Sequence, residues 1–417
     1  MTEIKHLIWT LPLCLLLSNG RFSNYFLHKY PEKRRNVSLS SQAEIGSENI
    51  HTLFLNKFFT GNYLDESLKN SVSNRLSDYN RFGADWTSEL RYENMNDSLL
   101  GKNWGYLAAF KNRIYAEGQF NRYAFDLPFY GNAPFAGNEI STSGTTGFMM
   151  MYQQFQLGFV KTWQRPKSQH VFAFGLSYIN GNQLYEARID SNRILTSNDA
   201  ESVFVQLDGY IYRNDPAYNT FFANNGSGLG LDLQYQFSQN NHILSVQALD
   251  IGFISWERPG EYYRIDSSLH YNGIIIDNLF TTDGSEFTQF IDSLNQNYVK
   301  KEITNPGFRM LPAILHISYA YQFLDGRILL QTGVDARYSA HYFPSMYVRG
   351  IFYPHQRIMI AGSIGYGGFG TLNTGLDLGI DFGKGYTLSI HTRNLEGLVP
   401  NTFATGLSAG FKLSRYF

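Results

Sequence analysis

The sequence predicts an all-β protein: an antiparallel transmembrane β-barrel of about 14–16 strands with an N-terminal, partly helical segment. Three observations predict it. The last hundred residues alternate oily and wet side chains with a period of two. In Leu315-His316-Ile317-Ser318-Tyr319-Ala320-Tyr321-Gln322-Phe323 one face carries Leu, Ile, Tyr, Tyr and Phe, and the other His, Ser, Ala and Gln. That is a strand with two unlike faces. The pattern returns after the turn Leu324-Asp325-Gly326-Arg327, again over residues 375–382, and finally over residues 407–414. Secondly, aromatic residues make up 16% of the chain, with 29 Tyr and 33 Phe, and they gather at strand ends as the girdles of a membrane barrel do. Thirdly, segments of about ten residues are joined by alternately short and long connections, which suits strands tilted across a bilayer. A soluble sandwich would share the alternation, with the oily face as its core. In a barrel that face meets lipid and the charged, glycine-spaced face lines the lumen.

Composition narrows the class further. The chain has 417 residues, and one pattern runs from about residue 80 to the end without a linker-like break, so a single large sheet accounts for it. A net charge of -1 and a pI near 6.8 suggest no nucleic-acid surface. A mean hydropathy of -0.27 argues only against helical spans, because a barrel strand needs only every second residue to be oily. The sole cysteine, Cys14, lies in the leader. The mature chain is therefore expected to have neither disulfide nor thiol nucleophile.

Residues 1–20 carry Lys5, an apolar stretch over residues 7–17, and Ser18-Asn19-Gly20. They read as a secretory signal peptide. Cys14 raises a lipoprotein alternative, which the bulky Leu-Pro-Leu before it opposes. Residues 21–80 form an N-terminal segment, either a hatch in the barrel mouth or a periplasmic leader. Leu68, Val72, Leu76 and Tyr79 place a helix over residues 65–79. The barrel is expected over residues 81–417, with strands at 81–94, 104–119, 148–163, 169–179, 183–195, 201–213, 228–238, 242–256, 311–323, 326–339, 345–353, 356–367, 372–382, 384–393 and 403–417. That is an odd number where an even one is normal. Either a strand near residues 37–45 is missing from the set, or one member does not cross. If the last strand descends to the periplasm, the short turns at 324–327, 353–356, 382–385 and 238–241 share the periplasmic side. The 214–227 loop and the long loop 257–310 then lie outside. In that long loop Phe287, Phe290, Ile291, Leu294 and Tyr298 make one helical face, either a lid or a packed decoration.

Candidate chemistry is sparse. His316 and Ser318 share one face, and outer-membrane phospholipase A carries a His-x-Ser pair. That enzyme needs its pair on the lipid side, followed by Asn-Gly, whereas here Tyr319-Ala320 follow and the alternation points His316 inward. The ten histidines stand at no metal-ligand spacing. Gly365-Tyr366-Gly367-Gly368-Phe369-Gly370 lacks the ending of a phosphate loop and reads as an extracellular turn. No enzyme, metal or cofactor is expected. The residues that matter are the inward polar set: His316, Ser318, Asp335, Arg337, Arg349, Asp377, Asp381, His391, Arg393 and Lys412. Both signs of charge occur in it, so a wet channel and a lumen cross-linked by ion pairs both satisfy it. Leu378→Arg, on the lipid face, is expected to destabilise the barrel, and Asp377→Asn beside it to cost little. Phe411, Leu413 and Phe417 on the final strand resemble the signal read by the bacterial barrel-assembly machinery, with Arg415 as a departure.

The segments Leu127-Pro128-Phe129-Tyr130-Gly131-Asn132-Ala133-Pro134-Phe135-Ala136-Gly137-Asn138, Gly226-Ser227-Gly228-Leu229-Gly230-Leu231-Asp232, Leu249-Asp250-Ile251-Gly252-Phe253-Ile254-Ser255-Trp256 and Met310-Leu311-Pro312-Ala313 resemble an uncharacterised family of outer-membrane proteins from Bacteroidota. The resemblance covers most of the chain after residue 54. It implies an outer-membrane barrel of a Gram-negative bacterium, distantly similar to long-chain fatty-acid transporters and to the shuttle barrel of type IX secretion, and it brings no catalytic residues. Two functions follow as expectations. One is transport of a small or hydrophobic solute through a gated lumen. The other is a non-conducting barrel that serves as partner or plug in a secretion or surface-assembly complex. The expected contacts are outer-membrane lipid, the assembly machinery and, for the second function, a complex partner.

Overall fold

A computed structural model of the chain describes residues 35–94, 103–218, 220–271, 299–339 and 341–417. The strands of the described residues form one sheet. In chain order they are β1 (Arg35–Ser47), β2 (Asn80–Asn94), β3 (Trp104–Phe120), β4 (Glu139–Ile140), β5 (Thr146–Arg165), β6 (Ser168–Thr196), β7 (Val203–Asn214), β8 (Gly226–Gln239) and β9 (His242–Trp256). There follow β10 (Gly260–Tyr271), β11 (Val299–Thr304), β12 (Gly307–Met310), β13 (Ile314–Phe323), β14 (Ile328–Arg337), β15 (Phe343–His355), β16 (Ile358–Gly368), β17 (Leu372–Gly383), β18 (Tyr386–Thr392) and β19 (Gly406–Tyr416). Fourteen of them close an antiparallel barrel in the order β1, β2, β3, β5, β6, β8, β9 and then β13 to β19. The seam is β1 against β19, in register from Asn36↔Tyr416 to Gly46↔Gly406.

Three departures from the expected set explain the odd count. The segments 169–179 and 183–195 are one 29-residue strand, β6. Its first half stands in the wall between β5 and β8, while its second half continues beyond the barrel and pairs with β7. β7 pairs with β10, and β10 with β11, so residues 201–213 belong to a fin above the barrel and not to its wall. The missing strand is β1, which covers 37–45. Among the described residues the barrel wall therefore starts with β1, ahead of residue 81, and residues 35–80 divide into a wall strand and a connection. β12 pairs with the upper part of β9, and β13 resumes the pairing only at Ile314↔Leu249. Pro312, which has no N–H to give the ladder, lies in the break.

The faces follow the alternation. Leu315, Ile317 and Tyr319 are 44, 43 and 42% exposed, whereas His316 and Ser318 are 2 and 5% exposed, so the oily side is the outer wall. The turns at 240–241, 324–327 and 383–385 all lie at one end with both strand ends of the seam, and the long connections lie at the other. Three short helices occupy that loop end: α1 (Thr52–Phe59), α2 (Glu66–Ser73) and α3 (Arg122–Tyr130). The helix expected over 65–79 is α2, whose N-cap Asp65 accepts from the Leu68 amide. Leu68, Val72 and Leu76 pack with Phe54 and Phe125 into a small core of their own, while Tyr79 is exposed. The 48–79 connection is thus a cap on the loop end of the barrel. Among the described residues no helix is long and apolar enough to cross a membrane. The leader, with Cys14, and the helix expected within 257–310 lie outside the described residues.

Candidate functional site: the barrel lumen

The inward face is built in layers. Near the loop end Met150, Tyr152, Ile179, Leu184, Ile254, Trp256 and Leu311 form a buried apolar cluster. Gly181 makes room for it, since a Cβ there would lie 2.9 Å from Ile254 and 3.0 Å from the Trp256 ring. Near the turn end Ala320, Leu329, Ile351, Met359, Ala361 and Tyr416 form a second cluster, confined to the wall of β13 to β16 and β19.

Charge fills the middle. Arg113 of β3 is held by Asp85 of β2 at 3.1 Å and by Asp250 of β9, and it donates to the Tyr152 hydroxyl at 3.3 Å. Lys111 lies 2.7 Å from Asp232 and 3.7 Å from Asp250. Gln154 and Gln156 donate to the same two carboxylates, each at 2.8 Å. Asp250 has φ of 56° and stands where the β8–β9 register shifts. Its own amide donates to Asp232 at 2.8 Å. A non-glycine residue in this conformation is strained, and the bulge is what turns the Asp250 carboxylate toward Arg113 and Lys111 together. Between these groups and β19 lies a cavity of about 140 Å³. Asp85, Glu89, Arg91, Glu93, Lys111 and Lys412 are among its lining residues.

The inward set read from the sequence lies on the inner wall, divided among separate contacts. His316 Nδ1 meets Asp335 Oδ1 at 2.6 Å, and Arg393 donates to the other Asp335 oxygen at 3.2 Å. Arg349 is paired with Asp377. These groups surround a second, smaller cavity of about 30 Å³, lined among others by Asp335, Asp377 and Arg393, with room for about one water. Arg337 reaches across the lumen to Asp85 at 2.7 Å. Lys412 faces the larger cavity. Ser318 is buried on the inner face beside His316. The His391 Nε2 atom is buried without a hydrogen bond among the described residues. Asp381 departs from the set: it sits at the turn end, where its carboxylate accepts from the Gly383 amide at 2.7 Å and shapes the β17–β18 turn. On the last strand Leu413 and Phe417 are exposed outward, and Phe411 is half-buried.

The wall that sequence reasoning passed over is the N-terminal one: Glu44, Asp85, Arg91, Glu93, Lys111, Arg113, Asp232 and Asp250. A signal was present in Lys111-Asn112-Arg113-Ile114-Tyr115-Ala116-Glu117, where Lys111, Arg113 and Glu117 share one parity of a strand. Among the described residues no three His, Cys, Asp or Glu groups are placed to hold a metal ion.

Several solved structures resemble this architecture. The TodX ΔS2S3 mutant, a monoaromatic hydrocarbon channel, aligns over 95% of this chain and 95% of its own, at 9% identity and a TM-score of 0.50. The Pseudomonas putida toluene transporter TodX aligns over 94 and 92% at 10% identity and a TM-score of 0.44. A Pseudomonas aeruginosa FadL homologue aligns over 96 and 94% at 11% identity and a TM-score of 0.43. At such identities the likeness is one of fold. No curated protein matches the chain in sequence. The model of a family of unknown function, DUF5723, matches residues 36–386, and the chain belongs to that family.

Proposed function

We infer that the protein is an outer-membrane channel for small apolar or amphipathic solutes. The observation that carries this reading is the layered lumen of a closed barrel, with a buried apolar cluster around Trp256 and Leu311 at the loop end and a charged interior beneath it. An apolar solute gains by leaving water for the upper cluster and gains nothing from ion pairs below it. Its easiest exit is sideways, and the wall has a narrow break beside the cluster: between β12 and β13 the Leu311 amide still donates to the Gly252 carbonyl at 2.9 Å, but Pro312 has no N–H to give β9, and Leu311 of the cluster borders that break. Outside that break Phe308 and Met310 are 68 and 53% exposed, which suits an outlet into lipid. The similar fold of a monoaromatic hydrocarbon channel supports the same solute class.

The test is uptake of a radiolabelled monoaromatic acid and of a long-chain fatty acid by cells that lack their own channel for them. Expression should raise uptake of one or both, and Leu311→Arg should abolish the gain while the folded barrel persists. Uptake equal to that of the empty-vector cells sinks the reading. A second reading, a non-conducting barrel that docks to a secretion or surface complex, draws on the ion-paired lumen and on the fin of β6, β7, β10 and β11. Stable co-purification of a partner in mild detergent, with no solute uptake, would favour it.

A further inference from the structure

The glycine-rich sequence at the end of β16 does not form an outward turn. Phe369 is 1% exposed and folds back into the lumen. The backbone permits this through Gly367 and Gly368, whose φ angles are 110° and 83°, a region side-chain-bearing residues rarely adopt. The facing wall is cut away for the ring, since a Cβ on Gly83 of β2 would lie 2.0 Å from it. Phe369 joins Tyr115 and Tyr342, with centroids 6.1 and 5.1 Å away, in an aromatic box. The guanidinium of Arg337 fills that box, 5.8, 4.5 and 5.2 Å from the Tyr115, Tyr342 and Phe369 centroids. Asp85 at 2.7 Å and Glu44 at 3.9 Å supply the counter-charge.

Two features distinguish this closure from fixed core. The Arg337 guanidinium has one close carboxylate contact, Nη1 to Asp85 at 2.7 Å, and none of its buried nitrogens has well-aligned hydrogen-bond geometry among the described residues. The cation is held by charge and ring faces, without the directional lock of a bidentate pair. The ring that completes the box is also carried on a glycine-rich turn, whereas Tyr115 stands on a strand. Directly beneath lies the larger cavity, because Asp85 both holds Arg337 and lines that space.

We propose that Phe369 and Arg337 form the loop-end gate of the lumen, an organic-cation site occupied in the closed state by the chain's own guanidinium. The gate opens when the 367–370 turn carries the ring out of the box. This rests on the reading of the barrel as a channel.

Planar-bilayer conductance of the refolded full chain tests it, with heat-modifiable migration confirming that each variant is folded. Phe369→Ala and Arg337→Ala should each raise conductance about tenfold over the unaltered protein at equal loading, since each removes a desolvated cation–aromatic contact. Gly83→Ala, which pushes the ring out without removing it, should do the same. Phe403→Ala, in an exposed loop position, should change nothing. Millimolar guanidinium should close the Arg337→Ala channel again and leave Phe369→Ala open, a rescue that a merely structural role would not produce. In a Cys14→Ser background, a Thr87→Cys reporter in the cavity should react faster with an impermeant thiol reagent once Phe369 is Ala. The gate is overturned if these variants match the unaltered protein. Equal conductance in all of them, or silence in all of them, removes the gate, and the channel reading then stands or falls on solute uptake.

Discussion

Leu378 and Asp377 are adjacent in β17, and their surroundings set opposite rules for what each position tolerates. Leu378 is 39% exposed on the outer face, between Ile360 and Ile390 of the neighbouring strands. Leu378→Arg would place a charge against lipid and should cost about 2–4 kcal/mol, measured by urea unfolding of the barrel in liposomes. Asp377 is 6% exposed and paired with Arg349, itself 2% exposed. The buried pair reverses the expectation from sequence that Asp377→Asn costs little, because the change takes from Arg349 the carboxylate paired with it within the wall. Removing one partner of such a pair costs on the order of 3–5 kcal/mol, whereas replacing both with apolar residues of similar volume is near neutral. The double variant Arg349→Met with Asp377→Leu should accordingly be more stable than Asp377→Asn alone. If it were less stable, the pair would be contributing net stability and not only compensating its own burial. The inner face was legible because its charges alternate with oily residues; the pairing was not, because Arg349 and Asp377 stand on strands separated by β16.

At the scale of elements, the cap over the loop end shows how far local signals reach. Asp65, followed by Leu68, Val72 and Leu76, reads directly as a capped helix. The start of α1 was harder to see, since its N-cap is a histidine. His51 Nδ1 accepts from the Phe54 amide at 3.2 Å, and its Nε2 lies 2.7 Å from the Ser71 hydroxyl of α2. One imidazole thus starts the first helix and ties it to the second, provided it stays neutral. Burial, reinforced by the Arg75 charge, lowers the His51 pKa from 6.5 to about 4. Between those values the unfolded chain binds the proton and the folded cap does not. The stabilisation is complete above pH 6.5 and is lost as the pH falls through 4. Trypsin cleavage at Lys57, Lys69 and Arg75 should therefore accelerate on acidification within this window, after correction for the enzyme's own pH dependence by digestion of an unfolded control. His51→Asn, which keeps an N-cap acceptor and removes the titration, should flatten the profile. An unchanged profile in that variant would assign the acid response to another group.

The whole molecule depends on a seam that local patterning could not announce. Alternation in 403–417 identified the last strand, and the missing even member pointed to 37–45, yet only the closed sheet shows that these two segments are partners. Sequence periodicity reports which face a residue takes, and a pairing between strands separated by some 360 residues leaves no local trace. The same reason hid the fin: 201–213 alternates as a wall strand does, but its partner β10 lies outside the barrel. Closure has a direct consequence for truncation. Arg35 and Phe417 exchange backbone hydrogen bonds, Arg35 N–H to Phe417 O at 3.2 Å and Phe417 N–H to Arg35 O at 3.0 Å, and the ladder continues from there to the loop end. A chain that begins at residue 35 retains all fourteen wall strands, whereas one that begins at residue 81 lacks β1 and leaves β19 and β2 as two open edges. Unpaired edges cannot be satisfied within lipid. The first form should refold in detergent and migrate as a compact, heat-modifiable band on a semi-native gel. The second should aggregate or migrate as unfolded chain, so any conductance it showed would not report an unplugged pore. Heat-modifiable migration of the form starting at 81 would mean that β2 and β19 can close a thirteen-stranded barrel without β1, and the seam would then be dispensable.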